Sequence, residues 1–210
     1  MTTVIIIDDH PLVRRGIANS IQEIPGFNIV GEAGDADGAF DLLSRGEVDI
    51  AILDISLPGE DGMEVLKKIQ KKYPNVKILM LTMHPEELFA LRAFRMGASG
   101  YLAKAQAPQE LAKALIKISD GGKYISESMS TELIDHLDSN IERHRFELLS
   151  DRELQVLILI AGGDSTNTIA NQLSLSAKTV STYRTRLLQK MQMHSTAELI
   201  RYALDNHLIE

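Results

Sequence analysis

The chain has no cysteine among its 210 residues. That excludes disulfides, thiol nucleophiles and cysteine-ligated zinc, and nothing in the composition demands an oxidising compartment. It has no uncharged apolar run long enough to span a bilayer, so no membrane partner is expected. Its opening, M-T-T-V-I-I-I-D-D, lacks the basic n-region and long apolar stretch of a signal peptide and reads as a strand. An excess of positive charge is missing too. The formal net charge of −7 argues against wholesale coating of nucleic acid but leaves room for a local basic surface. What is present is ordinary for a globular protein with a real core: 44% hydrophobic residues, in a length that suits one or two domains.

The stretch from Val48 to Gly62, V-D-I-A-I-L-D-I-S-L-P-G-E-D-G, organises the rest. Val48 to Leu53 reads as a strand buried on both faces. It ends in Asp54, after which Ser56, Pro58 and Gly59 turn the backbone and Glu60 begins a helical pattern. Taken alone, Asp54 is either a turn aspartate, common after a strand, or a functional carboxylate. A second acidic cluster bears on the choice. Val4 to Ile7 is another short apolar run, and it ends in Asp8-Asp9, adjacent carboxylates that are costly unless solvated or metal-bound. In one parallel sheet Asp8, Asp9 and Asp54 converge on the C-terminal edge, where ligands of open α/β sheets bind. A hard divalent cation, Mg²⁺ being the usual one, would relieve their repulsion.

The first part of the chain alternates strand and helix. His10-Pro11 opens a helix with Leu12, Val13, Ile17, Ile21 and Ile24 at apolar spacing. Phe27 to Val30 is a strand, and Ala36 to Ser44 a helix with Phe40, Leu42 and Leu43 as core. After the Asp54 strand, a helix turns Met63, Val65, Leu66 and Ile69 inward and leaves Lys67, Lys68, Lys71 and Lys72 in water. Val76 to Leu81 is a strand ending in Thr82. A helix runs from about Pro85 to Met96, then a strand from Ser99 to Ala103 ends in Lys104. Pro108 to Ser119 is a helix. These repeated units predict an α/β fold with a doubly wound, five-stranded parallel sheet. A lone Thr or Lys at a strand end means little. Five reactive groups at strand ends suit phosphoryl transfer, with Asp54 as nucleophile forming an acyl phosphate and Thr82 and Lys104 balancing the charge on the phosphoryl oxygens.

The pieces I-I-I-D-D-H-P, I-L-D-I-S-L-P-G-E-D-G, M-L-T and G-Y-L-A-K occur in the order of a bacterial two-component receiver domain, which the chain resembles to about Lys123. The resemblance implies a flavodoxin-like receiver in which Asp54 accepts phosphate from a partner kinase's phosphohistidine. It implies that Asp8, Asp9 and Asp54 hold Mg²⁺ together with the backbone carbonyl of Ser56. It also implies a switch in which Thr82 moves toward the phosphate and Tyr101 turns inward. From the residues alone, Tyr101 is a half-buried strand aromatic. Many receivers place proline after the lysine, with a cis peptide; here Ala105 follows Lys104, and the bond's geometry stays open. Ser56 and His84 hold the positions that in this family influence the lifetime of the phosphoryl group.

The middle segment reads as a short helix, Ser126 to Leu137, and a polar stretch, Asp138 to Glu147, together an acidic, solvated spacer. The last segment has no strand signal. Ser150-x-x-Glu153 and Ser195-x-x-Glu198 are capping boxes, and Ser165 and Ser176 cap two helices between them, predicting about four helices in a helix-turn-helix module. On a wheel at about 100° per residue, Val180, Tyr183, Leu187, Leu188 and Met191 share one side of the third helix. Lys178, Ser181, Thr182, Thr185, Arg186, Gln189 and Lys190 fill the other, which has no acid. An ordinary surface helix would also look like this, but the turn, the caps and the acid-free face together favour DNA. Arg184 falls toward the apolar side, its role open. L-S-D-R-E-L-Q-V-L, S-T-N-T-I-A-N-Q-L and S-A-K-T-V-S-T-Y-R-T-R-L-L-Q-K-M resemble the LuxR/NarL-type DNA-binding domain, so the whole chain looks like a NarL/FixJ-type response regulator. That likeness implies that Ser181, Thr182 and Thr185 approach bases and that Lys178, Arg186 and Lys190 meet phosphates. The final helix, Thr196 to Asn206, lies where such domains dimerise on DNA; from the residues alone it is a helix packed against the first of the module.

The expected division is a receiver at 1–123, a linker with a short helix at 124–147 and an all-α helix-turn-helix domain at 148–210. The expected function is a phosphorylation-controlled transcription factor, not an enzyme beyond promoting its own Asp phosphorylation and dephosphorylation. A Mg²⁺-dependent phosphatase with an Asp54 nucleophile is a rival, but such enzymes want a second acid two residues on, where this chain has Ser56. A ligand-sensing regulator would want an apolar pocket motif in place of charged strand ends. Expected partners are a sensor histidine kinase, double-stranded promoter DNA and RNA polymerase, with a homodimer formed on phosphorylation or on DNA. The expected compartment is the cytoplasm.

Overall fold

Short runs of β-branched and apolar residues make the centre of a sheet. In the computed structural model Thr2–Ile7 (β1) pairs in parallel with Ile50–Leu53 (β3), Val4 opposite Ile50 and Ile7 opposite Leu53. Every residue from Val4 to Ile7 and from Ile50 to Leu53 is buried, as befits strands covered on both faces. Phe27–Ala33 (β2), Lys77–Thr82 (β4) and Gly100–Ala103 (β5) complete a five-stranded parallel sheet of order β2-β1-β3-β4-β5. The structure describes residues 1–83, 86–126, 146, 149–206 and 208–209, with the backbone alone at 86–88. The chain divides into two compact units, Met1–Asp138 and Ser139–Glu210.

In the first unit the helices are Pro11–Gln22 (α1), Ala36–Ser44 (α2), Gly62–Lys72 (α3), Glu86–Arg95 (α4) and Ala107–Ser119 (α5). Residues alternate across the sheet. Val4, Ile6, Ile50, Ile52, Leu79, Leu81 and Leu102 share a cluster with Ile17 and Ile21 of α1 and Leu111, Leu115 and Ile118 of α5. The intervening Ile5, Ile7, Ala51, Leu53, Ile78, Met80 and Tyr101 are buried as well, on the opposite face. All four apolar positions expected of α3 are buried and its lysines 67, 68, 71 and 72 are exposed.

Several expected boundaries move. β2 extends to Ala33, three residues past Val30, because β1 pairs with it as far as Ile7 opposite Ala33. α3 begins at Gly62 with Asp61 as its cap, its carboxylate accepting from the Met63 N–H, so Glu60 lies outside the helix. A 3₁₀ turn, Lys104–Gln106, precedes α5. Leu12 is 83% exposed, not core. At about 100° per residue it lies roughly 140° from the Ile17 direction, on the wet side of α1. The expected helix at Ser126–Leu137 and most of the acidic spacer lie outside the described residues, as do His84 and Pro85. Among the described residues no peptide bond is cis, the Lys104–Ala105 bond included, and no helix is long and apolar enough to cross a membrane.

The second unit contains Asp151–Ala161 (α6), Thr166–Gln172 (α7), Ala177–Met191 (α8) and Thr196–Asp205 (α9). Ser150 makes the reciprocal capping box with Glu153, and Ser165, Ser176 and Ser195 each accept from the third backbone N–H beyond them. The Ser195 box is only half made, since the Glu198 carboxylate takes the His194 N–H and the Ser195 hydroxyl.

Gly62 is the most closely approached of the described glycines. A Cβ there would sit 2.0 Å from the Asp54 carbonyl oxygen and 2.7 Å from the Ile55 Cα, while its N–H donates to the Ile55 carbonyl at 2.8 Å. Gly62→Ala is therefore expected to push α3 off β3 and to cost roughly 1–3 kcal/mol, the usual range for overpacking. The measurement is urea unfolding: a lower midpoint at unchanged slope is expected, and an unaltered midpoint would mean that the close approach carries no constraint.

Candidate functional site

The register of the sheet brings the reactive strand ends together. Ile7 pairs with Leu53, Leu53 with Met80, and Thr82 with Ala103, so the residues that follow, Asp8, Asp54 and Lys104, come out at one edge. The change in strand order lies between β2-β1 and β3, the position where such sheets bind ligands. Asp8 is 1% and Asp54 2% exposed. Lys104 Nζ donates to Asp54 Oδ2 at 2.6 Å and stands 2.7 Å from Asp8 Oδ2. The Ser56 N–H donates to Asp54 Oδ1 at 3.3 Å. Asp9 is half-buried, and His10 Nδ1 lies 2.5 Å from its Oδ1.

Burial dominates the electrostatics. It pushes the Asp54 carboxyl up; the Lys104 ammonium pulls back, Asp8 adds to the rise, and the group settles at about 6. Lys104 feels the same burial as a downward pull, but Asp54 and Asp8 outweigh it and hold it above the ordinary lysine value. Asp8, Asp9, His10 and Asp54 each place one ligand atom within 4.8 Å of the others. Asp8 Oδ2 and Asp9 Oδ1 are buried and receive no well-directed hydrogen bond, despite the nearby ammonium and imidazole. Carboxylate oxygens in that condition fit a hard divalent cation.

Thr82 is fully buried and Tyr101 is 1% exposed, deeper than a half-buried strand aromatic. Arg14 is a participant that sequence reasoning missed. Its Nη1 donates to the Asp8 carbonyl and its Nε lies 3.4 Å from Glu32 on β2, bracing the turn that carries the acidic pair. No local pattern marks it, because its partners lie on other elements. Gly62 had a signal, the D-G pair ahead of a helix.

In the second unit, Lys178, Ser181, Thr182, Thr185, Arg186, Gln189 and Lys190 are all exposed on α8, while Val180, Leu187 and Met191 are buried. The hydroxyls of Ser181, Thr182 and Thr185 donate to the carbonyls four residues back, at 3.0–3.1 Å. Lys190 differs from the others. Its ammonium is 2.6 Å from Glu153 Oε2, an oxygen that also accepts from the Ser150 N–H at 2.8 Å and the Ser150 hydroxyl at 3.0 Å. Burial raises the Glu153 carboxyl, but Lys190 and Ser150 outweigh it and hold it below the ordinary range. Arg152, 8% exposed, donates to Gln155 at 2.7 Å and to the Leu173 carbonyl at 2.6 Å, tying α6 to the turn before α8. Arg184 Nε donates to the Thr196 hydroxyl at 2.8 Å, which gives that side chain a role between α8 and α9.

Comparison with known proteins covers both units. The family model described as response regulator receiver domain matches residues 4–116, and that for bacterial regulatory proteins of the luxR family matches residues 147–203. The response regulator UvrY of Escherichia coli (strain K12) is 36% identical over 209 residues, covering 99% of this chain and 96% of that protein. The response regulator GacA of Pseudomonas aeruginosa is 31% identical over 211 residues, covering 100% and 99%. Among solved structures, RcsB from Salmonella enterica serovar Typhimurium, bound to promoter rprA in the presence of the phosphomimetic BeF₃⁻, superposes with a TM-score of 0.65 at 30% identity, covering 96% of this chain and 98% of that one.

An acid whose folded pKa is raised contributes stability that is fully present below its unfolded value and lost as pH rises through the folded value. For Asp54 the window runs from 3.8 to about 6. Without divalent ions, Asp54→Asn should exceed the parent in stability by about 2–3 kcal/mol at pH 7.5, at 1.36 kcal/mol per unit, and the gap should close toward pH 4. A gap that is flat between these pH values in paired denaturant titrations would show that Asp54 is not strained by burial.

Thr182→Ala or Thr185→Ala should change sequence preference, and Arg186→Ala should weaken binding to all duplexes while lowering the salt slope by about one unit. Titration of specific and random DNA over a salt series distinguishes them; identical behaviour of the Thr and Arg variants would contradict the division of labour.

Proposed function

From the premise that the chain belongs to the two-component response regulators that join a receiver to a LuxR-type DNA-binding domain, we propose that Asp54 is its phosphoacceptor and that phosphorylation there controls α8 on promoter DNA. The observation that carries this reading is the buried Asp54 carboxylate, paired with Lys104 beside the Asp8-Asp9 acids at the edge of the sheet. The proposed division is a receiver at 1–123, a linker at 124–147 and a DNA-binding domain at 148–210.

A phosphohistidine on a partner kinase presents its phosphorus to an Asp54 oxygen. The O–P bond forms, the P–N bond breaks, and the imidazole leaves with the electron pair of that bond. Asp8, Asp9, Asp54 and the backbone carbonyl of Ser56 would hold Mg²⁺, whose charge offsets that of the phosphoryl oxygens. Lys104 is placed to follow the phosphoryl oxygen that replaces its bond to Asp54, and the Thr82 hydroxyl, at the end of the neighbouring strand, to donate to another. Tyr101, one strand further, takes part in the resulting switch. The same groups promote hydrolysis of the acyl phosphate by water, which makes the receiver a participant in its own phosphorylation and dephosphorylation.

On DNA, Ser181, Thr182 and Thr185 face base edges and Lys178 and Arg186 face phosphates. Lys190 reaches a phosphate only by sharing its ammonium with Glu153. A single small module makes limited contact, and paired half-sites are the usual remedy, so phosphorylation favours a homodimer. RcsB in complex with DNA, and as two dimers on two parallel DNAs, lends support from a structural neighbour. The remaining partners are a sensor histidine kinase and RNA polymerase, and the working compartment is the cytoplasm, where promoter DNA lies.

Labelled acetyl phosphate with Mg²⁺ should label the full chain, fail on Asp54→Asn and label Asp9→Asn slowly. Phosphodonor should raise both the dimer fraction in sedimentation and the affinity for two-half-site DNA, with neither response in Asp54→Asn. Undiminished labelling of Asp54→Asn would move the nucleophile elsewhere. A rise in affinity without dimers would leave release of the DNA-binding module as the switch.

A further inference from the structure

His10 stands at the mouth of the acidic pocket and has no part in the chemistry above. It is the cap residue of α1, yet its side chain makes no capping hydrogen bond. The ring turns instead to the carboxylates, with Nδ1 2.5 Å from Asp9 Oδ1 and 3.6 Å from Asp8 Oδ1. Its backbone N–H donates to Asp8 Oδ1 at 2.8 Å, which fixes the main chain beside the pair. The ring nitrogen belongs to the same group as the ligand oxygens of Asp8, Asp9 and Asp54, all within 4.8 Å of one another. Asp8 Oδ2 and Asp9 Oδ1 are buried and lack directed hydrogen bonds.

We infer that His10 supplies a nitrogen ligand to the cation site, so that the pocket takes a borderline divalent transition ion, of the Co²⁺ to Zn²⁺ kind, by a bond that Mg²⁺ does not use. The inference rests on the reading of Asp8, Asp9 and Asp54 as the cation-binding acids. Its chemistry is that of a mixed donor set. Carboxylate oxygen suits Mg²⁺, Ca²⁺ and Mn²⁺, whereas imidazole suits Ni²⁺, Cu²⁺ and Zn²⁺. Two neighbouring ligands at bond lengths of about 2.0–2.2 Å lie roughly 3 Å apart, so the ring must retreat by about half an ångström from Asp9. It is 63% exposed and has room to do so. An octahedral Mg²⁺ keeps its waters and leaves the imidazole aside.

The test uses the full chain freed of metal, with calorimetric titration of MgCl₂ and of CoCl₂ into the parent, His10→Gln and Asp9→Asn. His10→Gln should lower Co²⁺ affinity at least about tenfold, the least that loss of even an outer-shell partner typically costs, and leave Mg²⁺ affinity unchanged. Asp9→Asn should weaken both. The Co²⁺ form of the parent should show a hyperfine-shifted imidazole N–H proton resonance that disappears in His10→Gln, which separates this site from the other histidines. Equal Co²⁺ affinity in parent and His10→Gln overturns the inference. Equal losses for Co²⁺ and Mg²⁺ overturn it too, since His10 would then only orient the acids. If Asp9→Asn alters neither ion, the pocket is not the cation site, and the underlying reading falls together with the inference.

Discussion

The head of the sheet depends on one ammonium group. Lys104 Nζ is within 2.7 Å of both Asp8 and Asp54, and without it two buried carboxylates would face each other with no countercharge. Like charges at that range cannot both stay ionised in a low-dielectric site. Burial raises the Asp54 carboxyl further than that one lysine can lower it, and Asp8 adds to the rise, so the group still sits at about 6. The pocket is short of positive charge even with Arg14 nearby, because that guanidinium faces Glu32 and a backbone carbonyl. On the proposed reading, a divalent ion would supply the positive charge that the acids lack.

The DNA-binding unit solves a related problem with the signs exchanged. There a buried acid, Glu153, gathers Ser150 and Lys190 and so joins the first turn of α6 to the last turn of α8. Arg152 makes a second tie, to the carbonyl of Leu173. Polar ties thereby hold α6 both to the last turn of α8 and to the turn that precedes α8.

Much of this was legible in the residues because strands buried on both faces leave an apolar run with a sudden polar end. Asp8, Asp54, Thr82 and Lys104 were found by that break alone, and parallel pairing did the rest. The wheel separated the two sides of α8 for the same reason, since burial follows the helical period. What escaped was cross-element. Arg14 and Glu32 are remote in sequence, as are Glu153 and Lys190, so Lys190 read as a simple phosphate contact. Leu12 read as core because its type was counted and its direction was not. Gly62 drew no reading of its own, although its lack of a side chain is a packing requirement imposed by the Asp54 carbonyl.

The strand order has a consequence in time. β1 is made first, yet both strands that flank it, β2 and β3, come later in the chain. On a growing polypeptide its hydrogen-bonding edges remain unsatisfied until Leu53 has emerged, and non-local parallel pairing is slow even then. The countercharge arrives later still, on Lys104 after the last strand. During that interval the nascent chain carries two acids that belong in the interior and nothing to neutralise them. Its apolar strands are exposed at the stage when chains of this kind are most prone to associate. The first strand of the sheet thus waits on the residue after the last strand for the charge that its own terminal acid faces.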